Sequence, residues 1–285
     1  MKKPVEPYLK KPEWLRIHLP RADHYQKVKQ SMDGDALHTI CESGACPNKG
    51  ECWGSGTATF MILGDICTRS CRFCNVKTGK PLPPDPSEPM RVARAVQAMK
   101  VKHCVITSVD RDDLPDGGAA HWADTINSIR QLAPGVTLET LIPDFKGNIK
   151  DLDIVMHTRP QVVSHNLETV ERLSREVRVY ANYRQSLQVI AHVAAAGIRT
   201  KSGIMLGLGE TEEEIFQAMD DLLEAGCQVL TLGQYLQPTR KHLNVKKYVH
   251  PDDFERYGRT AREKGFLFVE SAPLVRSSFH AEKHV

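Results

Sequence analysis

The sequence predicts an α/β fold: a partial, TIM-like (β/α)6 barrel with an extension at each end. Three observations lead there. The chain has 285 residues, 41% of them hydrophobic, which is enough to fill the core of one barrel. From Ala58 onward short apolar runs alternate with longer stretches of helical period, the pattern of repeated strand–helix units around a parallel sheet. Before that point the residues are rich in Lys, Pro, His and Gly without periodicity, and Pro4, Pro7, Pro12 and Pro20 forbid long regular elements. The expected division is therefore an extension over 1–57, the barrel over 58–240 and a C-terminal extension over 241–285.

Six runs read as strands: Ala58–Leu63, His103–Ser108, Thr137–Ile142, Val162–His165, Thr200–Leu206 and Val229–Tyr235. Helices fill the intervals. Ser87 precedes a segment that aligns Val92, Val96 and Met99, and Gly118–Leu132 and Arg184–Ala196 have the same amphipathic spacing. Thr211-Glu-Glu-Glu214 is a capping box opening a helix with Ile215, Met219, Leu222 and Leu223 on its apolar side. Pro251 suits the first turn of a helix over Asp252–Lys264. Six units leave the barrel open on one side, and chemistry belongs at the carboxyl ends of its strands.

Charge and composition exclude several function classes. The 38 basic and 35 acidic residues are dispersed and net only +3, so a nucleic-acid partner is not indicated. No stretch approaches the roughly 20 apolar residues of a membrane span. The opening Met-Lys-Lys-Pro-Val-Glu-Pro has no signal-peptide core and is too acidic and proline-rich for a transit peptide, so the expected location is cytoplasmic. There is no Ser/His/Asp set, no paired general-acid carboxylates and no Gly-x4-Gly-Lys-Ser loop, which argues against hydrolysis and phosphoryl transfer.

The cysteines carry the chemistry. Six of the eight fall in two triples, Cys41-x4-Cys46-x5-Cys52 and Cys67-x3-Cys71-x2-Cys74. In a reducing compartment such clustering means metal ligation rather than disulfides. Cys104 and Cys227 lie in apolar runs and read as buried, inert residues. Three is an informative number, because structural zinc takes four protein ligands whereas a cubane iron–sulfur cluster held by three leaves one iron open. The second triple directly follows the first strand, with Gly64 easing the turn, and so falls at the chemical end of the barrel. Zinc with a nearby His is the competing reading for each triple, His38 being the candidate for the first.

The Cys67–Cys74 spacing, with Phe73 before the last cysteine, resembles the radical SAM superfamily. Taken with Cys41-Glu-Ser-Gly-Ala-Cys46-Pro-Asn-Lys-Gly-Glu-Cys52-Trp, the resemblance narrows to the lipoyl synthase family. It runs over nearly the whole chain, through Thr107–Gly118, Ile142-Pro-Asp-Phe145, His165–Val170, Thr200–Thr211 and Gly233–Thr239. It ends at Arg276-Ser-Ser-Phe279, where the family usually has Tyr in place of Phe279.

This resemblance implies two [4Fe–4S] clusters and S-adenosylmethionine. Cys67, Cys71 and Cys74 hold the cluster whose open iron binds S-adenosylmethionine, the source of a 5′-deoxyadenosyl radical. Cys41, Cys46 and Cys52 hold an auxiliary cluster, completed by Ser278, with Ser277 the adjacent alternative. An alkoxide is harder than a thiolate and can be displaced as that cluster is dismantled. The implied reaction inserts two sulfur atoms from the auxiliary cluster at carbons 6 and 8 of a protein-bound octanoyl-lysine. Its implied partners are octanoylated lipoyl carrier domains, those of 2-oxoacid dehydrogenase acyltransferases and the glycine cleavage H protein, and an electron donor such as ferredoxin or flavodoxin.

The cofactor pocket is less sharply marked. In the Gly203–Glu210 segment, Met205 takes the place of the isoleucine that packs beside the adenine in the superfamily, and Gly207 follows. Asn166 and Glu168 either bond the cofactor or cap the next helix. Arg111, within Asp110–Asp113, is a candidate to orient the cofactor carboxylate or the clusters, and Lys201 and His165 either support that pocket or fill satisfied structural roles. Two other readings stay open: a related sulfur-inserting enzyme acting on a tRNA base or another carrier, and an electron-transfer protein with two clusters.

Overall fold

The computed structural model describes residues 9–16, 37–44, 46–49 and 59–285. Much of the expected 1–57 extension, Cys52 included, lies outside the described residues. The main sheet has eight strands in the order β1 (His38–Thr39), β2 (Thr59–Ile62), β5 (His103–Ser108), β6 (Thr137–Leu141), β7 (Val162–Ser164), β8 (Arg199–Leu206), β9 (Val229–Gln234) and β10 (Phe268–Ser271). From β2 to β10 every neighbour is parallel, and only β1 runs antiparallel, against β2. Because the order follows the sequence, each right-handed crossover returns on the same side and the sheet curls with its helices outside.

All six expected strands are present, their ends moved by at most a residue. The crossing helices are α2 (Glu88–Met99), α3 (Ala119–Leu132), α4 (Ile149–His157), α5 (Glu171–Arg178), α6 (Tyr183–Ala195), α7 (Glu212–Glu224) and α8 (Pro251–Lys264). A short α1 (Ile40–Ser43) follows β1 and is capped by the Thr39 hydroxyl. The capping box opens α7 as expected: the Thr211 hydroxyl accepts from Glu214 N at 3.3 Å, and the Glu214 carboxylate accepts from Thr211 N at 2.8 Å. Among the elements not anticipated are β1 and α1, the helices α4 and α5, and β10, a further parallel strand contributed by the expected C-terminal extension.

Two apolar clusters stabilise the fold, one around β2, β5, α2 and α3 with Trp122 wholly buried, the other around β8, β9, α7 and α8 with Phe254 wholly buried. Strands β2 and β9 are buried along their full length, as expected of parallel strands covered on both faces. Among the described residues no helix is long and apolar enough to cross a membrane.

Candidate active site

The cysteine loop is built outward from the end of β2. Leu63 and Gly64 turn the chain with φ of 68° and 92°, and Leu63 N donates to the buried Glu88 carboxylate at 2.8 Å. Strand β3 (Ile66–Cys67) then pairs with β4 (Lys77–Thr78), so a two-residue ribbon closes the base of the Cys67–Cys74 loop. Arg69 pins the loop to the barrel. Its guanidinium donates to Asp112 at 2.7 and 2.9 Å and to Asp144 at 2.7 Å, and it faces Asp110 at 3.4 Å. Burial opposes ionisation of Asp144, but the Arg69 hydrogen bond and charge hold its carboxyl down at about 2.

Cys67, Cys71 and Cys74 line one cavity of about 530 Å³ at the carboxyl ends of the strands. Burial pushes the Cys67 and Cys71 thiols up to about 12 and Cys74 up to about 11, with the nearby Asp110 charge acting in the same direction on each. Arg178, at the end of α5, also lines the cavity and opposes this shift at Cys71. Its carbonyl accepts the Cys71 thiol at 3.8 Å and Tyr180 N at 2.5 Å. The latter bond closes a γ-turn centred on Val179 (φ 44°, ψ −54°), a strained conformation for a β-branched residue.

The other triple reaches the same cavity. Cys41, in α1, and Cys46 line it, as do Ser277 and Ser278 from the far end of the chain. Asn75 beside Cys74 donates to Ser43 O at 3.2 Å, and Asn48 donates to Leu274 O at 2.7 Å, so both cysteine segments and the C-terminal segment are tied together. The C-terminal segment sits close over β9: a Cβ on Gly233 would stand 2.2 Å from Val275 O. Arg276 is half-buried beside Cys46 and Glu168; desolvation lowers its pKa and those two neighbours oppose the change. Cys52 lies outside the described residues.

Of the expected cofactor residues, Phe73, Asn166, Glu168 and Met205 line the cavity. Asn166 Nδ2 donates to Glu168 at 3.1 Å and to Ser277 Oγ at 3.1 Å, while its buried Oδ1 has no hydrogen-bond partner among the described residues. Burial pushes the Glu168 carboxyl up, against the Arg178 charge. Three others do not line the cavity. Arg111 is used up in its own loop, donating to Asp113, Leu63 O and Leu82 O. Lys201 is wholly buried at the opposite end of β8, paired with Glu139 at 2.8 Å. Gly207 serves a close backbone crossing, since a Cβ there would meet Lys247 O at 2.3 Å, and its N–H is held by Glu210 at 2.5 Å. His165 does line the cavity, its ring nitrogens bonded to Ile142 O and Ser186 Oγ. Arg69, Asp144, Arg178 and Arg276 were not anticipated, because nothing local in the sequence marks which charges meet.

The radical SAM superfamily profile matches residues 61–222. A lipoyl synthase of Bacteroides thetaiotaomicron is 58% identical over 277 residues, covering 97% of this chain and 98% of that protein. The chain belongs to the lipoyl synthase family. A mitochondrial lipoyl synthase of Nematostella vectensis is likewise 58% identical, over 99% of this chain and 96% of its own. Among solved structures, HydG, a maturase of the [FeFe]-hydrogenase, aligns with a TM-score of 0.59 at 14% identity, over 74% of this chain and 50% of HydG. Streptococcus suis SuiB bound to S-adenosylmethionine aligns with a TM-score of 0.57 at 15% identity, over 75% of this chain and 50% of SuiB. This chain spans about half the length of those two structures, which share its fold.

Membership in the lipoyl synthase family and the radical SAM superfamily implies a [4Fe–4S] cluster and S-adenosylmethionine, and the residues present fit both. Cys67, Cys71 and Cys74 converge on one cavity, and thiolates are the donors such clusters take, a bound metal offsetting the burial that otherwise raises their pKa. No three His, Cys, Asp or Glu among the described residues stand close enough for a single ion. The unpartnered Asn166 Oδ1 and the Glu168 carboxylate beside it offer acceptors to a ligand carrying ammonium or hydroxyl donors.

Proposed function

We propose that this chain inserts sulfur at carbons 6 and 8 of an octanoyl-lysine on a lipoyl carrier domain, with Cys41, Cys46, Cys52 and Ser278 holding a second [4Fe–4S] cluster that gives up the sulfur. The observation that supports this reading is the shared cavity, which brings Cys41, Cys46 and Ser278 to the same space as Cys67, Cys71 and Cys74. When bound, the two clusters and S-adenosylmethionine supply hydrogen abstraction from unactivated carbon and the sulfur atoms. An unactivated C–H bond offers no acidic proton to a base, and His165 in this cavity has both ring nitrogens engaged, with Ile142 O and Ser186 Oγ.

The chain's own residues bind, orient and exclude water. Phe73 and Met205 form apolar wall, and Asn166 and Glu168 accept from the cofactor's polar end. Arg69 and its three aspartates fix the cysteine loop, and Arg276 supplies positive charge between Cys46 and Glu168. Lys11, Cys41 and Cys46 from the N-terminal part and Val275–Ser278 from the tail line the same cavity, which supports a role for both segments in keeping water from it. Octanoylated domains of 2-oxoacid dehydrogenase acyltransferases and glycine cleavage H protein, with ferredoxin or flavodoxin as electron donor, are the partners this reading calls for, in the cytoplasm.

Two variants separate the triples. Cys71→Ala should abolish reductive cleavage of S-adenosylmethionine. Cys46→Ala should continue to release 5′-deoxyadenosine while forming no sulfur-containing product; lipoyl formation by Cys46→Ala would refute the donor assignment.

A further inference from the structure

At the end of the barrel opposite the cysteines, Lys201 projects from β8 into a wholly buried setting with all three of its ammonium donors engaged. Two go to Glu139 at 2.8 and 3.0 Å, and the third to His284 Nδ1 at 3.2 Å. His284 is 1% exposed. Its carbonyl accepts from Arg199 Nη1 at 2.8 Å, its ring lies 5.9 Å from that of Phe268, and the tail before it is packed through the buried Ala281. Burial, then the Lys201 charge and His103, keep this imidazole neutral, with its pKa down at about 3, so Nδ1 remains an acceptor.

The same tail is fixed a second time at its upstream end. Pro273 O accepts from Gln234 N at 3.1 Å, Leu274 O from Asn48, and Val275 O lies against Gly233. The tail thus passes from the cavity to the strand-start end of the barrel, and Ser278 falls between the two anchors. Internal turns shorten the span: Phe279 N bonds Arg276 O at 2.9 Å and Lys283 N bonds His280 O at 3.0 Å. A side chain chosen only for burial would be apolar, whereas His284 leaves its Nε2 without a hydrogen-bond partner among the described residues, as does His103 nearby. The polar contact to Lys201 therefore fixes position at the expense of an unsatisfied atom.

We propose that His284, seated on the Lys201–Glu139 pair, is a positioning residue for Ser278, holding the tail so that Ser278 stays in the cavity with Cys41 and Cys46. This rests on the reading of Ser278 as a ligand given above. The lower anchor also keeps the tail in place when Ser278 lets go, so that the serine can return.

The test compares His284→Ala, His284→Asn, which keeps an acceptor near the Nδ1 position, and Ser278→Ala. Amide hydrogen exchange of residues 276–285 is read by mass spectrometry in the metal-free, reduced protein. His284→Ala should speed exchange about tenfold or more and His284→Asn less than about threefold, as loss of one charged hydrogen bond predicts. Iron content and Mössbauer spectra are then read in a Cys67→Ala, Cys71→Ala, Cys74→Ala background, where one cluster remains. There His284→Ala should shift the spectrum toward that of Ser278→Ala, and His284→Asn should restore it. If Ser278→Ala changes the spectrum and His284→Ala does not, whatever happens to exchange, the positioning role is overturned while the ligand reading stands. If Ser278→Ala leaves the spectrum unchanged, the ligand reading falls and takes this inference with it.

Discussion

Replacing Arg69 by Leu should unseat the cysteine loop through the carboxylates it leaves behind. The Arg69 side chain is only 5% exposed, and Asp144, one of its partners, 1%. In the intact protein the fall of the Asp144 pKa from 3.8 to about 2 is worth about 2 kcal/mol. Because the folded value lies below the unfolded one, that stability is present above about pH 4 and lost as pH falls through about 2. Without Arg69 the charges run the other way. Asp144 retains Gln185 Nε2 at 3.0 Å and Lys146 N at 3.0 Å but has no cation in contact, so burial lifts its pKa above the ordinary value. Removing one partner of a buried pair costs about 3–5 kcal/mol at pH 7. The penalty should shrink as pH falls toward about 4, where Asp144 takes up a proton, and adding Asp144→Asn should recover about half of it. Urea unfolding of the metal-free, reduced protein at pH 7 and near pH 4.5 measures both effects. A loss under about 1 kcal/mol, or one that does not change with pH, would refute the reasoning.

Three further outcomes follow from the same geometry. Gly233→Ala places a Cβ 2.2 Å from Val275 O, a backbone atom that cannot give way cheaply, so it should expel the C-terminal segment, abolishing sulfur insertion while leaving most 5′-deoxyadenosine release intact in a product assay. Val179→Gly removes the strain of a positive-φ β-branched residue at the modest entropic cost of glycine and should raise stability by about 1 kcal/mol, seen as a rise of about 2 °C in calorimetry; a lower melting temperature would contradict it. Lys201→Met alone should destabilise by about 3–5 kcal/mol because it leaves Glu139 buried without its partner, and adding Glu139→Leu should recover most of that loss. In the double variant the affinity for S-adenosylmethionine by equilibrium dialysis should stay within about twofold, since the pair lies outside the cavity; a larger drop would return Lys201 to the cofactor.

The strands were legible because parallel strands buried on both faces read as apolar runs with sharp ends, and the Thr211 box because capping is local chemistry. Strand β10 was not, since Phe268–Ser271 is half-buried throughout and carries Glu270 and Ser271 in a four-residue run. Helix α5 was also missed: Glu171–Arg178 has only Leu173 and Val177 as apolar residues, and it buries Ser174 and Arg178 instead. At the site, motifs marked Cys41, Cys46, Cys67, Cys71, Cys74 and Ser277–Ser278, all of which line the cavity, whereas Arg69 meets Asp144 across 75 residues and no spacing encodes that pairing. Of its two expected roles, support of the cofactor or a satisfied structural one, Lys201 sits where the second applies, for a reason the sequence itself contains. It stands near the start of its strand, and in a barrel of this kind the strand ends, not the strand starts, face the chemistry.

The most direct test of the central claim is a mass measurement. The protein is reconstituted anaerobically with iron and sulfide, then incubated with S-adenosylmethionine, a reductant and an octanoyl-lysine peptide. The expected product is a peptide carrying two added sulfur atoms, with 5′-deoxyadenosine released alongside it. A peptide of unchanged mass from protein whose clusters are intact would contradict the claim.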